Sequence, residues 1–357
     1  MIVEQLATPC LVVDLDRLQR NITTWQSAVD GAGSRLRPHM KTHKTVEIAR
    51  MQLAAGAAGV TVAKVAEAEL YVDAGFDDVV IAYPVVGEAK WVRIAALAGR
   101  ARLAVNIESE VAARGLSRAA SEAGVTIGVQ LDVASGLGRC GLPAGRVGEL
   151  ATLAAGLPGL RLDGVTTYRG LGFPDASAVT PQQAGREEGE LVARLSRELG
   201  LGQASAGSTP TGRAVAEVDG VSEVRAGTYV FNDLMQLGWG SAGEGEVALS
   251  ILATVVSTNR EGRLTVDAGS KTFSGDVVLA DEQGRVVARS VEGDVVLDGM
   301  TEEHGVGRSS RPVAVGERLR LYPVHVCTCV NLSDQLFAVR GDQVEAVWPV
   351  AGRGLRT

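Results

Sequence analysis

The segment RPHMKTHK (37–44) places two lysines and two histidines within eight residues. A lysine amine attacks carbonyl groups, and forms a Schiff base with them, when burial or neighbouring cations lower its pKa. Arg37, Lys44 and a protonated His43 are the cations that would act in this way on Lys41. The plainer alternative is that both lysines are solvated surface charges. The segment therefore predicts either a reactive lysine or a basic patch.

A second chemically suggestive combination is His325-x-Cys327, in the segment YPVHVCTCVNL (322–332). We expect a strand here, and side chains two residues apart on a strand share a face. Imidazole and thiolate are ligands that zinc prefers, so the pair predicts a metal clamp with open coordination positions. Cys329 would be a third ligand if the strand continued. The alternative is that Cys327 is a small core residue.

Eight short β-branched runs alternate with helical stretches between residues 35 and 226. The predicted strands are 35–40, 59–62, 78–82, 102–106, 126–132, 161–167, 202–206 and 222–226. Helical patterns between them, such as 63–75 and 108–124, end on glycine, as helices often do. This alternation predicts an α/β fold, a closed (β/α)8 TIM barrel. A doubly wound open sheet is the alternative, but it needs a glycine fingerprint after the first strand, where the sequence reads MKTHK.

The pattern changes after about residue 245, where strand-like runs lie between turn pairs such as Glu261-Gly262. We therefore expect a C-terminal all-β domain that carries the metal pair. The predicted division is a barrel over 16–243 and a β-domain over 244–357, to which the N-terminal segment 1–15 also belongs. The run PCLVVDL (9–15) is expected to be the strand that pairs with this second domain.

In a barrel of this kind the chemistry takes place at the carboxyl ends of the strands, so the residues after each predicted strand are candidate site residues. They are Lys41 after the first strand, Arg139 after the fifth, Tyr168 after the sixth, Gly207, Ser208 and Thr209 after the seventh, and Tyr229 after the eighth. A Gly-Ser-Thr turn before a helix offers backbone N–H groups and hydroxyls to a phosphate. A phosphate site opposite a reactive lysine fits a phosphorylated aldehyde, pyridoxal 5′-phosphate.

Composition argues against several classes of partner. The net charge of −7 gives no attraction to nucleic acid or to an anionic membrane, and no apolar run of 18 residues is present. The N-terminus lacks the basic and apolar regions of a signal peptide, so we expect a cytoplasmic protein whose partner is a small molecule. The four cysteines are too scattered for a disulfide framework, and Cys10 and Cys140 are expected to be core thiols.

Seven segments, in order along nearly the whole chain, resemble the D-threonine aldolase and D-serine dehydratase family of pyridoxal-phosphate enzymes: RPHMKTHK, DVASGLGRCGL (132–142), SAGSTPT (205–211), RAGTYVFND (225–233), DAGSKTF (267–273), EEHG (302–305) and PVHVCTCVNLSD (323–334). The resemblance implies an alanine-racemase-like barrel with a β-domain, assembled as a homodimer. It implies that Lys41 carries the cofactor and is the base at Cα, which leaves Lys44 as a supporting or surface charge. It also implies that Arg139 reaches the cofactor's phenolic oxygen, Tyr168 its pyridine nitrogen, and Gly207, Ser208, Thr209 and Tyr229 the region of its phosphate.

The metal motif divides this family. The best-known aldolases resemble one another in having His-x-Asp, whereas the dehydratase type has His-x-Cys with zinc, as at His325 and Cys327. In the aldolases a histidine after the tyrosine is linked to deprotonation of the β-hydroxyl, and the matching loop here, TYRGLGFPDAS (167–177), has none. Both features favour the dehydratase type. Such an enzyme is expected to use a divalent metal, with zinc expected and manganese or magnesium as alternatives. It would remove water from 3-hydroxy-D-amino acids such as D-serine, giving a 2-oxo acid and ammonia.

Three alternatives stay open. The same residues could carry out retro-aldol cleavage to glycine and an aldehyde, as a D-threonine aldolase does. A non-catalytic pyridoxal-phosphate-binding protein would keep Lys41 and the phosphate turn without needing a second domain or a metal. Amino-acid racemisation would require a second base on the opposite face of the cofactor, and the sequence does not identify one.

Overall fold

The first elements of the chain connect its two sheets. The computed structural model describes residues 1–171 and 179–357. The first strand, β1 (Cys10–Asp14), continues directly into α1 (Leu15–Gly31). Asp14 makes this junction, because its carboxylate accepts a hydrogen bond from the Arg17 N–H at 3.0 Å and so caps the helix. The helix α1 leads into a parallel barrel, whereas β1 belongs to the second sheet.

Eight parallel strands in the described ranges, each matching a run that the sequence predicts, form the barrel: β2 (Arg35–Leu36), β3 (Val60–Val62), β4 (Asp78–Ile81), β5 (Arg102–Ile107), β6 (Ile127–Val133), β7 (Leu160–Thr167), β8 (Gln203–Ala206) and β9 (Glu223–Val224). Their order in the sheet is β2-β9-β8-β7-β6-β5-β4-β3. The two edges meet through a parallel bridge between His39 and Thr61, and the Met40 N–H donates to the Thr61 carbonyl at 2.8 Å. The sheet thus closes on itself, which confirms the predicted TIM-like barrel and rules out the open doubly wound sheet.

The connections between the barrel strands are helical, as the periodicity predicts: α2 (Val46–Ala54), α3 (Val65–Asp73), α4 (Glu88–Ala98), α5 (Glu110–Ala123), α6 (Val147–Gly156), α7 (Pro181–Glu198) and α8 (Gly212–Ala216). In α5 the Ser109 hydroxyl accepts from the Ala112 N–H at 3.3 Å, and Gly124 ends the helix at a φ of 64°. Each helix returns the chain to the amino end of the next strand. The carboxyl ends of the strands therefore open on one side of the barrel.

The rest of the chain is mainly antiparallel. Its elements are α9 (Leu234–Gly238), β10 (Leu249–Ser257), β11 (Arg263–Val266), α10 (Ser270–Phe273), β12 (Leu279–Asp281), β13 (Gly284–Val286), β14 (Ala288–Ser290), β15 (Val295–Met300), β16 (Gly305–Ser309), β17 (Arg318–Pro323), α11 (Val326–Leu332), β18 (Gln335–Arg340) and β19 (Gln343–Pro349). The large sheet has the order β11-β16-β15-β14-β17-β10-β1-β18-β19. Since β1 pairs with β10 and β18, the run 9–15 joins this second domain as expected. The boundaries at 16–243 and 244–357 stay predictions.

The predicted strand through the metal pair is wrong. The strand β17 ends at Pro323, His325 is the residue before α11, and Cys327 lies in the first turn of that helix. The helix begins here because the buried carboxylate of Asp233 accepts the Val326 N–H at 3.0 Å. The apolar positions that suggested a strand are a helical face instead, since the buried residues are Val326, Cys329 and Val330.

One hydrophobic core supports both sheets. Its buried members include Leu11 and Val13 of β1, Val105 of the barrel, and Ile251 and Leu336 of the second sheet. The opening of the barrel and the start of α11 are thus held against each other by continuous packing. Among the described residues no helix is both long enough and apolar enough to cross a lipid bilayer.

Candidate functional site

A cavity of about 270 Å³ lies at the carboxyl ends of the barrel strands and is bordered by the start of α11. It gathers residues that are far apart in sequence. Eight of the nine predicted site residues line it: Lys41, Arg139, Tyr168, Gly207, Ser208, Thr209, His325 and Cys327. The lysine, the phosphate turn and the metal pair that the sequence presents as separate features therefore share one cavity.

Lys41 lies directly after the strand edge that closes the barrel. Its backbone N–H donates to His39 Nδ1 at 3.3 Å, and its Nζ lies 5.6 Å from the centre of the Tyr168 ring. The guanidinium of Arg139 lies 5.0 Å from the same ring centre. Both distances are within the range of cation–π contact. Three residues predicted from three different loops are thus brought into one cluster.

The cations proposed to activate Lys41 are engaged elsewhere. Arg37 is buried inside the barrel and pairs with Glu223 and Asp78, each at 2.7 Å. Lys44 is buried as well and pairs with Glu67 at 2.6 Å, so it is not a surface charge. Each of these charges is compensated by its carboxylate partner.

The histidines beside Lys41 are neutral. Burial lowers the pKa of His43 to about 4, and this ring is held by hydrogen bonds with Gln52 and Thr45. Burial, followed by the nearby charges of Lys41, Arg225 and Arg139, also lowers the pKa of His39 well below its usual value. The expectation that a protonated His43 acts on Lys41 is therefore wrong.

The Gly207-Ser208-Thr209 turn follows β8 as predicted and is held by Thr211. The Ser208 N–H donates to Thr211 Oγ1 at 3.1 Å, and the two hydroxyl oxygens lie 2.9 Å apart. Thr211 gives its own proton to Glu188 at 2.8 Å, so the Ser208 hydroxyl must be the donor to Thr211. Thr209 Oγ1 instead accepts the Tyr229 N–H at 3.0 Å, and its own proton has no acceptor among the described residues. Thr209 is thus the hydroxyl of this turn that can donate into the cavity.

Tyr229 is the predicted site residue that does not line the cavity. Its ring is fully buried 5.0 Å from that of Trp25, and its hydroxyl accepts a hydrogen bond from Gln52 Nε2 at 2.8 Å. The side chain is therefore part of the packing behind the turn, and it is the backbone N–H of Tyr229 that holds Thr209. In this arrangement the Tyr229 phenol does not reach the cavity, so it is not placed to contact a phosphate there.

The metal pair is held by polar contacts on both residues. Asp276 Oδ2 lies 2.6 Å from His325 Nδ1, which leaves Nε2 as the ring nitrogen for a metal. Cys327 Sγ lies 3.2 Å from the Thr42 hydroxyl and 3.7 Å from that of Thr228. Thr42 follows Lys41 in sequence, so these contacts place the thiol next to the lysine loop.

The electrostatics of this pair favour the metal-binding form of the thiol. Burial opposes ionisation of Cys327, but the neighbouring His325 outweighs it and lowers the pKa of the thiol. Burial likewise opposes protonation of His325, yet Cys327 and Asp276 together raise its pKa. Asp276 is partly buried, but its bond with His325 lowers its pKa to about 2. The surroundings of Cys327 therefore favour its thiolate, which is the ligand form of cysteine.

Cys329 does not serve as a third ligand. Its thiol is buried and donates to the carbonyl oxygens of Phe273, at 2.9 Å, and His325, at 3.2 Å. Burial raises the pKa of this thiol well above its usual value. Within residues 1–171 and 179–357, no three His, Cys, Asp or Glu side chains form a group that could hold a metal. The candidate metal site therefore has two protein ligands.

Several residues of the site are missed by sequence reasoning. Asp132 and Asn106 lie at the ends of their strands, where the barrel rule could have found them, whereas no spacing links Asp276 to a histidine 49 residues later. Arg225 also lines the cavity, with its guanidinium bonded to the Thr167 carbonyl at 2.7 Å and to the Ser205 hydroxyl. Burial raises the pKa of Asp132.

One predicted feature lies outside this site, and another is described only in part. His304 is exposed, and Glu303 beside it forms a surface ion pair with Lys271 at 2.6 Å. The histidine-free loop 167–177 extends beyond the described residues from position 172, so the structure bears on its first part only.

Known proteins resemble the chain along its whole length. Residues 13–234 match the family described as alanine racemase, N-terminal domain, and residues 248–339 match the putative serine dehydratase domain. D-threo-3-hydroxyaspartate dehydratase from Delftia sp. (strain HT23) is 37% identical over 354 residues, covering 90% of this chain and 91% of its own. D-threonine aldolase from Arthrobacter sp. is 35% identical over 364 residues, covering 97% of this chain and 93% of its own.

Solved structures agree with these matches. D-threonine aldolase from Filomicrobium marinum has a TM-score of 0.89 at 30% identity, over 99% of this chain and 98% of its own. The Delftia dehydratase has a TM-score of 0.84 at 33% identity, over 98% of each chain. Alanine racemase from Clostridium difficile 630, with a TM-score of 0.68 at 12% identity, shares the fold alone. The chain belongs to the alanine-racemase-like family of pyridoxal-phosphate-dependent lyases that contains D-threonine aldolase and D-threo-3-hydroxyaspartate dehydratase.

Proposed function

We propose that the chain is a pyridoxal-phosphate- and divalent-metal-dependent lyase that removes water from 3-hydroxy-D-amino acids, in the manner of a D-serine dehydratase. The observation that carries this proposal is the His325–Cys327 pair on the wall of the cavity that Lys41 also lines. Loss of a β-hydroxyl from an amino acid needs a base for the α-proton and an electrophile for the leaving oxygen. The cavity offers Lys41 as the base, and the His325–Cys327 pair as the holder of a metal that would act as the electrophile.

The cavity suits pyridoxal phosphate through the chemistry of its lining. Lys41 offers an amine for the aldehyde, Arg139 a cation for the phenolic oxygen, and Thr209 a free hydroxyl proton for the phosphate. Asn106 Oδ1 is buried in the lining without a partner among the described residues, so it is left to accept a hydrogen bond from what occupies the cavity. When bound, the cofactor would supply an acceptor for the electron pair left at Cα.

The residues of the chain divide the remaining work. The Lys41 amine is the basic group on the cavity wall, and we assign to it the removal of the α-proton. His39 and His43 are neutral beside it and add no competing positive charge. Lys41 and Arg139 both lie within cation–π distance of the Tyr168 ring, which helps to position the base and the cation.

The donor set at α11 fits a divalent ion that accepts nitrogen and sulfur, zinc above all. A bound ion would act as a Lewis acid and help the β-hydroxyl leave as hydroxide. A relative supports this assignment. In solved structures of D-threo-3-hydroxyaspartate dehydratase variants, a histidine in one variant and a cysteine two positions later in another are replaced by alanine, and the cysteine variant is in the metal-free form. That spacing is the spacing of His325 and Cys327.

Thr209, rather than Ser208, is predicted to supply the hydroxyl donor to the phosphate. Thr209→Val is expected to weaken pyridoxal phosphate binding about 10- to 100-fold, because a hydrogen bond to a charged group is lost. Ser208→Ala should weaken binding less than about threefold, since its hydroxyl proton is given to Thr211. Thr209→Ser keeps the hydroxyl and is the matched control. Absorbance titration of the apoprotein measures all three, and equal losses in Thr209→Val and Ser208→Ala would contradict the assignment.

Asp276 is predicted to tune the metal site through His325. Asp276→Asn should weaken zinc affinity about 10- to 100-fold, because the carboxylate that orients the imidazole is replaced by a neutral amide. Competition with a chromogenic chelator measures the affinity. Thr328 also bonds Asp276, at 3.0 Å, but does not touch the ring, so Thr328→Val is the control and should change the affinity less than about threefold. Unchanged zinc affinity in Asp276→Asn would show that the carboxylate has no such role.

Retro-aldol cleavage is the second candidate activity. It is favoured by the match to D-threonine aldolase over 97% of this chain and by the TM-score of 0.89 with the Filomicrobium enzyme. The two reactions use the same side chains but differ at the β-oxygen, which leaves as hydroxide in one and loses its proton in the other. Cleavage of Cα–Cβ would then release glycine and an aldehyde.

Product identification decides between these reactions. The protein is incubated with pyridoxal phosphate, zinc and one of three substrates, D-serine, D-threonine or D-threo-3-hydroxyaspartate, each with a chelator control. Pyruvate, 2-oxobutyrate or oxaloacetate with ammonia is the expected result, lost on chelation. Detection of glycine with acetaldehyde or glyoxylate would instead identify the protein as an aldolase. A protein that binds the cofactor and consumes none of the three would overturn the lyase, and appearance of the L-isomer alone would point to racemisation.

A further inference from the structure

We propose that Glu188 is a positioning residue that fastens two loops of the cofactor site to each other. The proposal rests on the pyridoxal phosphate part of the proposed function. One of the two loops follows β7 and carries Tyr168, and the other follows β8 and carries Ser208 and Thr209. Glu188 itself belongs to α7, outside the barrel, and does not line the cavity.

The carboxylate of Glu188 is shared between the two loops. The side chain is fully buried. Oε1 accepts the Arg169 N–H at 2.5 Å, directly after Tyr168, and Oε2 accepts the Thr211 hydroxyl at 2.8 Å. One side chain therefore holds both the ring side and the phosphate side of the expected cofactor position.

The bond to Thr211 continues to the phosphate turn. Because Thr211 gives its proton to Glu188, its oxygen is free to accept, and it takes both the N–H and the hydroxyl proton of Ser208. Two successive hydrogen bonds, from Ser208 to Thr211 and from Thr211 to Glu188, therefore link the orientation of the turn to the Glu188 carboxylate. A glutamine at position 188 would present a donor to Thr211 in place of an acceptor, so the Thr211 oxygen could no longer accept both protons of Ser208.

The sequence of α7 explains how the helix reaches these loops. Glu188 lies between Gly185 and Gly189 on one helix face. A Cβ at Gly185 would lie 2.5 Å from the Thr211 carbonyl oxygen, and one at Gly189 would lie 2.7 Å from Val218. Both glycines are needed for this close approach, which puts the carboxylate within hydrogen-bond distance of the loops.

The contacts of Glu188 are directed at the loops of the cavity, whereas a side chain with a purely structural role would bond groups unconnected with the cavity. Both oxygens of Glu188 bind groups adjacent to cavity residues, and neither bonds a helix. Burying a carboxylate is costly unless both oxygens are satisfied, and the charges of Arg225 and Arg169 partly offset that cost. The neighbouring Glu187 instead pairs with Arg169 Nη2 at 2.9 Å on the partly exposed surface. Glu187 is therefore a matched control one residue away.

The test is an absorbance titration of the full-length apoprotein with pyridoxal phosphate alone, together with the melting temperature of each apo variant. Glu188→Gln and Thr211→Val are each expected to weaken binding about 10- to 100-fold. Glu187→Gln and Thr211→Ser should stay within about twofold of the unmodified chain. The double variant Glu188→Gln/Thr211→Val should bind no more weakly than the worse single variant, because both break one chain of hydrogen bonds.

Unchanged affinity in Glu188→Gln, or losses that multiply in the double variant, would overturn the proposal. So would a lowered melting temperature with an unchanged dissociation constant, which is the result of a structural role alone. If Glu188→Gln does not fold, the comparison of Thr211→Val with Thr211→Ser decides in the same way. No substrate is present in this titration, so its result does not depend on the lyase activity. If the variants lose affinity for pyridoxal phosphate as expected but the chain breaks down no 3-hydroxy-D-amino acid, the role of Glu188 is supported and the proposed lyase activity is overturned.

Discussion

Replacing Lys41 with alanine is expected to lower kcat/KM for 3-hydroxy-D-amino acids by at least about 10³-fold. The amine is assigned two tasks, holding the cofactor and removing the α-proton, and general base catalysis alone contributes about 10²- to 10⁴-fold. No second lysine lines the cavity in residues 1–171 and 179–357, so no amine is positioned to take over. Initial rates at saturating pyridoxal phosphate and zinc measure the effect.

The control for this change is Lys90→Ala, on α4 and outside the cavity lining, which should leave kcat/KM within about twofold. Borohydride reduction followed by peptide mass spectrometry gives an independent readout. It should attach the cofactor to the peptide containing Lys41 in the unmodified chain and to none in Lys41→Ala. Labelling of Lys44 instead would contradict the assignment, and the buried ion pair of Lys44 with Glu67 is the reason we do not expect it.

Replacing Cys327 with alanine is expected to remove the bound metal and lower kcat by about 10²- to 10³-fold. The thiolate is one of only two protein ligands that the described site offers, so a single imidazole would remain to hold the ion. Pyridoxal phosphate should still bind, because Cys327 contacts Thr42 and Thr228 rather than the phosphate turn. Elemental analysis of the purified protein and an absorbance titration measure the two properties separately.

Cys329 provides the matched control, two residues away in the same helix. Its thiol donates to backbone carbonyls, so Cys329→Ala should keep one equivalent of metal even if it lowers thermal stability. His325→Ala should behave like Cys327→Ala. One equivalent of metal and normal kcat in Cys327→Ala would show that the pair is not the metal site, and would remove the main argument for dehydration.

The barrel and the position of its site are predictable from sequence because both depend on local signals. The short β-branched runs and the intervening helical periods mark each barrel strand, and a parallel barrel brings the residues after all strands to one opening. That is why Lys41, Arg139, Tyr168 and Thr209 were predictable as neighbours before any coordinates. The homodimer and the cytoplasmic location expected from sequence stay predictions.

The errors have a common physical cause in contacts between distant segments. The segment after Pro323 is rich in β-branched residues, yet Asp233, about ninety residues earlier, accepts its first N–H and starts a helix. Lys44 looks like a surface charge until Glu67 of α3 is placed beside it. Asp276 and Glu188 act on His325 and on the phosphate turn across gaps with no fixed spacing. Periodicity carries no information on such pairings.

The position of β1 has a consequence for the way the chain is assembled. Although it is the first strand along this chain, it lies between β10 and β18 in the interior of the second sheet, with Leu11 paired to both Ile251 and Leu336. It must therefore wait for nearly the whole polypeptide before its two neighbours exist. A fragment starting at residue 244 would lack the central strand of its sheet. A fragment ending at residue 243 would contain β1, an apolar strand, without β10 and β18 to pair with it. The barrel and the β-domain are thus not separable modules, because each half of the chain holds a part that the other needs.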